Sequence, residues 1–411
     1  MFRLFTTTRS PSATIEPQNW AWLIPFLAGT CQRQRRRENV GHVSERIRIL
    51  WVCGSRVCGG AERATLRLLE LLRDRGHVVE ACCRPAGEVD RAVSGARLPA
   101  YRAPLGLRTL RTAWGMFDQV KPDVVLVTSS REWLSACLVP RRRRQPRLVV
   151  VRHMTLPLSP PLLWVVRHRA DAAVAVSEAV RASLVGKLRL PTSMVHVIHN
   201  PVRFPPRAAV PTLAERVRAR VSLGMEPTGR WVGFFGGLNP AKGVRDVLSA
   251  VAAVNRRLGD TQLLIAGRQG NRSLLELTGA FPAAGRSLYL GEVDRMDDAL
   301  TACDVVVMAT RSTLSEALPL TLMEAMSCGT PVLAYATGGI PELIGSDGQA
   351  GRLARPDDEQ DLARVLIELL GDPTAAEHCA SNGLLRIRHH FDPQAAAEQY
   401  EALFQTLCDR P

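Results

Sequence analysis

Lysine is almost missing from this chain. Lys121, Lys187 and Lys242 stand beside 50 arginines in a total of 53 cationic residues. Aromatic residues fill only 5% of the 411 positions, and the basic run Arg141–Arg144 has none interleaved. That argues against a single-strand nucleic-acid binder, which stacks bases on aromatic rings. The ten cysteines form no Cys-x-x-Cys pair, so a zinc ribbon or a thioredoxin-type site is not expected, and scattered thiols in apolar runs read as reduced. Long apolar runs are missing too. The longest candidate, Trp20–Ala28, is nine residues long and contains Pro25, against the roughly 20 residues needed to cross a bilayer. It is also a poor secretory leader, because Glu16 and a long polar stretch precede it.

Acidic residues are scarce in one half only. Residues 1–229 carry 37 Lys+Arg against 16 Asp+Glu, a net of +21, whereas residues 230–411 carry 16 against 23, a net of −7. A cationic half is drawn to an anionic membrane surface or a phosphorylated substrate, and a solvated arginine-rich face is the bland alternative. With 46% hydrophobic and 22% charged residues the composition is globular, and the length exceeds one compact core, so two domains are expected.

The pattern along the chain bears this out. Residues 1–45, with a Ser/Thr/Pro start and the Arg33–Arg37 cluster, read as a poorly ordered extension. From residue 46, short continuous apolar runs alternate with amphipathic helical runs. Strands are expected at Ile47–Cys53, Val78–Cys82, Val124–Thr128, Leu148–Arg152, Ala172–Val176 and Val195–Ile198, with a helix over 61–75. Continuous rather than alternating hydrophobicity marks parallel strands buried on both faces. His196 and His199 fall in the last run, where i, i+3 spacing does not suit a metal. Pro201–Pro211 is proline-rich and without periodicity. The same rhythm then restarts, with strands at Trp231–Gly236, Gln262–Ala266, Leu288–Leu290, Val305–Met308 and Val332–Tyr335 and helices around 244–251 and 362–370. The fold class is therefore α/β, two doubly wound sheets, with ligands expected beyond the carboxyl ends of the strands, in the cleft between them. The boundaries read as a first domain 46–205, a linker 206–228, a second domain 229–385, and a terminal helix 386–411 that packs back on the first domain.

Three segments carry chemistry. Gly59-Gly60-Ala61-Glu62 opens the first helix, where paired glycines allow close backbone approach and open amides face an anion. It is neither a G-x-G-x-x-G loop nor a Walker A sequence, and most loops of this kind are plain tight turns. Gly236-Gly237-Leu238-Asn239-Pro240-Ala241-Lys242-Gly243 ends the first strand of the second half. A lysine in an arginine-rich chain is informative, because its compact charge suits a phosphate oxygen. Third, Glu316 and Glu324 lie eight positions apart with Pro319 between them. Pro319 suits a helix start, which puts Glu316 in a loop, frees the amides of Leu320 and Thr321 for a phosphate, and sets Glu324 inside the helix to accept from vicinal ribose hydroxyls. For each, a turn, cap or salt bridge is the alternative.

The combination resembles the retaining nucleotide-sugar glycosyltransferases of group 1, family 4, with the GT-B architecture. Matching segments are Gly59 to Glu62, the His153 turn, His199-Asn200-Pro201-Val202, Gly236 to Gly243, Glu316 to Glu324, Cys328-Gly329-Thr330-Pro331-Val332 and Gly338-Gly339-Ile340-Pro341-Glu342. They span about residues 46–400. The resemblance implies that Lys242 holds the donor diphosphate, Glu324 the ribose, and Glu316 faces the donor sugar. His153 would contact the reacting sugar, while Gly59, Gly60, Gly237 and Gly267 line the donor. Where the family commonly has an arginine five positions before the lysine, this chain has Gly237, and Arg268 or Arg272 is the substitute expected. The stretch 308–314 also departs from the family pattern.

The implied reaction moves a sugar from a UDP- or GDP-type donor to a hydroxyl acceptor with retention. It needs no cofactor and, since no Asp-x-Asp triplet occurs, no metal. An epimerase or phosphorylase of the same architecture is the enzymatic alternative, and a basic nucleic-acid binder the alternative from another class. The acceptor is expected to be lipid-linked or phosphorylated, and the protein to be cytoplasmic and peripheral on an anionic membrane through Arg33–Arg37, Arg141–Arg144 and Arg147.

Overall fold

Buried, β-branched runs set the two sheets. The computed structural model describes residues 46–103, 117, 119–128, 133, 146–155, 159–268, 287–314, 316–345 and 347–409. The expected extension 1–45, the Arg33–Arg37 and Arg141–Arg144 clusters and Arg272 lie outside them.

In the first lobe, β1 (Arg48–Cys53), α1 (Gly60–Asp74), β2 (Val78–Cys83), α2 (Glu88–Gly95), β3 (Ala100–Arg102), β4 (Val124–Val127), β5 (Arg147–Arg152), α3 (Pro160–Arg169), β6 (Ala172–Ala175), α4 (Glu178–Ala182) and β7 (Val195–Val197) follow one another. Every pairing is parallel, in the order β3-β2-β1-β4-β5-β6-β7. The four residues of β4 and of β6 are all buried, as strands covered on both faces must be.

After it come α5 (Leu213–Ser222), β8 (Arg230–Phe235), α6 (Val244–Leu258), β9 (Thr261–Ala266), β10 (Ser287–Gly291), α7 (Met296–Thr301), β11 (Val305–Met308), α8 (Leu320–Ser327), β12 (Val332–Tyr335), α9 (Ile340–Ile344), β13 (Arg352–Ala354), α10 (Glu359–Gly371), α11 (Pro373–His390) and α12 (Pro393–Cys408). The second sheet is again all parallel, in the order β10-β9-β8-β11-β12-β13. The expected class, two doubly wound α/β sheets, is the one observed. Both sheets lie in one unit, 45–411.

Several elements were not foreseen, among them two strands and a helix. Strands β3 and β13 are three-residue edge strands whose arginines interrupt any apolar run. Helix α5 lies within the stretch read as a linker. It starts at a capping box in which Thr212 accepts from the Glu215 amide and Glu215 accepts from the Thr212 amide, and its Arg220 is buried against Ala302 O and Asp304. The last helix, α12, packs on α1, where Arg75 grips Glu401 through two nitrogens at 2.9 and 2.7 Å and the His77 ring lies 3.3 Å from the other Glu401 oxygen. No helix among the described residues is long and apolar enough to cross a membrane.

Candidate active site

Each sheet has one point where crossovers change direction: between β1 and β4 in the first, between β8 and β11 in the second. Loops that leave neighbouring strands in opposite directions there open a crevice at the carboxyl edge. The segments singled out in the sequence occupy these crevices. Gly59 and Gly60 follow β1, Lys242 follows β8, and Glu316 follows β11.

In the second lobe the loop after β8 is folded hard against the end of β11. Asn239 accepts from the Ala241 amide at 3.0 Å, which shapes the turn. Gly243 then takes a φ of +72°, and a Cβ on it would lie 2.0 Å from the Ala309 carbonyl oxygen. Only glycine permits that approach. The result is that the Lys242 ammonium meets the Glu316 carboxylate, which also accepts from the Thr310 hydroxyl at 3.0 Å. The loop carrying Glu316 is held from behind, since its carbonyl accepts from the Gly339 amide at 2.8 Å. A Cβ on Gly339 would come within 1.8 Å of the Ala317 carbonyl oxygen. Lys242 and Glu316 thus form one unit, although the resemblance implied separate tasks for them.

Three residues on from Glu316, Pro319 caps α8 with extended backbone and no side-chain cap. The amides of Leu320 and Thr321 are in its first turn and have no hydrogen-bond acceptor among the described residues, as expected of open donors at a helix N-terminus. Glu324 follows one turn later. It is 8% exposed, and its carboxylate has neither a hydrogen bond nor an ion pair among the described residues. Burial pushes its carboxyl up to about 7, while the charges of Arg203 and Arg63 pull the other way. A buried carboxyl without a partner is costly, and ligand hydroxyls would satisfy it.

On the first-lobe side Gly59 caps α1, and its amide donates to Glu62 at 3.0 Å. A Cβ on Gly60 would point at Leu320 Cδ1, 3.8 Å away. The glycine pair therefore lies next to the open end of α8, and a larger residue would fill the gap. His153 follows β5, two strands from β1. Both ring nitrogens are shielded from solvent and unpartnered among the described residues. Burial, with help from the Arg152 charge, lowers its pKa to about 4, so the ring is neutral at physiological pH.

Arg268 makes contacts that its position in the sequence did not indicate. Gly267, with φ +139° and a notional Cβ 2.2 Å from the Gly236 carbonyl oxygen, brings the two loops together, and Leu238 N donates to Arg268 O at 3.0 Å. The guanidinium, however, bonds Glu88 of the first lobe at 2.7 Å and Glu292 at 2.9 Å. Glu88 also accepts from the Cys58 amide at 3.0 Å, so Arg268 ties the glycine loop to the second lobe. A second tie joins Glu342 to His199 at 2.8 Å and to the Glu178 amide at 2.7 Å. Neither tie was foreseen, because the partners are 180, 143 and 164 positions apart in the chain. Gly237 is uncrowded, with the Arg268 carbonyl oxygen nearest at 3.8 Å. No cluster of three metal-ligating residues occurs among the described residues.

The profile described as Glycosyltransferase Family 4 matches residues 58–204, and that described as Glycosyl transferases group 1 matches residues 229–372. The chain belongs to this glycosyltransferase family. It is 31% identical over 229 residues to the D-inositol 3-phosphate glycosyltransferase of Mycolicibacterium vanbaalenii, covering 51% of this chain and 48% of that enzyme. The chain thus matches about half the length of that relative. With the phosphatidyl-myo-inositol mannosyltransferase of Mycolicibacterium smegmatis it shares 26% identity over 85% of this chain and 91% of that one. Among solved structures, Anabaena HepE in complex with UDP and glucose superposes with a TM-score of 0.75 at 21% identity, over 88% of this chain and 100% of that one. A glycosyltransferase from Rickettsia africae gives 0.77 at 16% identity, over 89% and 100%. At these identities the structures establish the GT-B fold of this glycosyltransferase.

Proposed function

We propose that this glycosyltransferase moves a sugar from a UDP- or GDP-type donor to a hydroxyl acceptor with retention of configuration at the anomeric carbon. The observation that carries the proposal is the grouping of Lys242, the open amides of Leu320 and Thr321, and the unpartnered Glu324 at the second lobe's switch point. A cation and a helix N-terminus bind a diphosphate, and a carboxylate one turn further on accepts from a ribose.

Breaking the anomeric C–O bond leaves positive charge on the sugar and negative charge on the departing phosphate. Donors already aimed at that oxygen stabilise the charge as it forms, without reorganising. Lys242 and the two amides fill this role. Glu316, held by Lys242 and Thr310, faces the developing cation, and neutral His153 is free to hydrogen-bond a sugar hydroxyl. The acceptor oxygen bonds the anomeric carbon on the face that the phosphate leaves, and its proton passes to the departing phosphate oxygen, which accounts for retention and needs neither a protein base nor a metal.

The acceptor is proposed to be a lipid-linked or phosphorylated alcohol used in cell-envelope glycolipid or polysaccharide synthesis, met at the cytoplasmic face of an anionic membrane. Support comes from the net +21 of residues 1–229. It comes also from exposed apolar side chains of the first lobe: Val57 and Met154 just past the carboxyl ends of β1 and β5, at 46% and 44%, and Trp164 on α3, at 63%. Proton NMR of the anomeric centre in the product, starting from a donor of known configuration, tests the reaction. Retained configuration supports it, and inversion or acceptor-independent epimerisation refutes it.

A further inference from the structure

The donor site as described is short of positive charge. A nucleoside diphosphate brings at least two negative charges, Gly237 stands where the family commonly has an arginine, Lys242 is paired with Glu316, and Arg268 is held by Glu88 and Glu292. Nothing in the backbone forbids a side chain at position 237, so the missing charge is not a steric necessity.

One cation is placed where the site lacks it. Arg63 lies in the first turn of α1, three residues after Gly60, and is exposed. A cation at a helix N-terminus works against the helix dipole, so this position is unfavourable unless an anion is held nearby. Residues i and i+3 share a helix face, so Arg63 is on the face through which Gly60 approaches Leu320 at 3.8 Å. Its charge is felt both by the Cys58 thiol in the glycine loop and by Glu324 on α8, each of which it pulls down against the effect of burial. It forms no ion pair among the described residues. Arg203, the other cation felt by Glu324, lies over the Phe204 ring, 5.3 Å from its centroid.

We propose that Arg63 is the first-lobe cation of the donor site, supplying to the diphosphate the positive charge that Gly237 leaves out. This rests on the donor reading above. It makes the donor a bridge between lobes: α8 and Lys242 hold the phosphates from one side and Arg63 from the other.

The test is titration of UDP and GDP, with uridine and guanosine as charge-free controls, into the wild type and into Arg63→Ala, Arg63→Lys, Arg203→Ala, Lys242→Ala and the double variant Arg63→Ala/Gly237→Arg. Loss of a charge-assisted contact predicts a weakening of about tenfold to a hundredfold for the diphosphate in Arg63→Ala, with nucleoside affinity unchanged and the loss shrinking at high salt. Lysine retains part of the affinity, and Gly237→Arg restores most of it. Unchanged diphosphate affinity in Arg63→Ala overturns the proposal, as does an equal loss for nucleoside and diphosphate, or a loss seen with Arg203→Ala instead. Should the wild type bind neither diphosphate, the donor reading itself fails. Should Lys242→Ala weaken binding while Arg63→Ala does not, the donor reading stands and Arg63 has no part in it.

Discussion

Glu324 should make the protein less stable as pH rises, and replacing it should reverse that. In the folded chain its carboxyl is pushed from 4.5 to about 7 by burial, so the native state holds a proton that the unfolded state has lost over that interval. Stability rises with pH where the unfolded state binds more protons; here the native state binds more, so stability falls between about pH 4.5 and 7 and stays low above it. At about 1.4 kcal/mol per pH unit, the penalty above pH 8 is about 3 kcal/mol. Gln keeps the shape and never ionises. Glu324→Gln should therefore unfold at nearly the wild-type temperature at pH 5 and at a distinctly higher one at pH 8.5, by on the order of 5–10 °C for a lobe of roughly 180 residues. Differential scanning calorimetry at both pH values reads this directly. A nucleoside diphosphate added at pH 8.5 should narrow the gap, because ribose hydroxyls satisfy the ionised carboxylate in the wild type only. The same shift at both pH values, or none at either, would refute the reasoning, since it would mean that Glu324 is not a desolvated carboxyl.

Other outcomes follow from the same geometry. Lys242→Ala should lower kcat by on the order of a hundredfold or more in a sugar-transfer assay, as when one preorganised oxyanion donor is lost. Gly339→Ala places a methyl 1.8 Å from the Ala317 carbonyl oxygen and should cost about 2 kcal/mol or more in a denaturant titration, with the Glu316 loop displaced. His153, with its pKa lowered to about 4, favours the neutral form in the native state, so it contributes a loss of stability as pH falls from 6.5 towards 4. Placing Asn at position 153 should remove that component and leave the pH–rate profile between 6 and 8 unchanged in shape. Vesicles containing anionic lipid should sediment the protein at physiological salt, and Trp164→Ser should weaken this; equal sedimentation with neutral vesicles would count against the membrane proposal.

Much of the architecture was legible because buried parallel strands announce themselves as apolar runs, and β4, β6, β11 and β12 are wholly buried. The edge strands β3 and β13 were not, since three residues with an arginine among them make no pattern. Helix α5 was hidden by the prolines before it, although Thr212 and Glu215 spell a capping box. The site was legible where a motif depends on the backbone: Gly243, Gly267 and Gly339 are glycines because carbonyl oxygens stand where a Cβ would be. What was not legible is which charges meet. Lys242 with Glu316, Arg268 with Glu88 and His199 with Glu342 are pairings set by the packing of two lobes, and no local spacing reports them. Arg63 did leave a signal, a cation in the first turn of a helix directly after paired glycines.

The central claim, that a lysine and the open end of α8 grip a diphosphate, is tested most directly by calorimetric titration of UDP and GDP into the wild type, Lys242→Ala, Leu320→Pro and their combination. Proline at the first helical position deletes the amide donor while keeping the helix start. The account predicts that one of the two diphosphates binds the wild type, that each single variant weakens it at least tenfold, and that the combined variant loses more than either. Binding that survives both changes undiminished would contradict it.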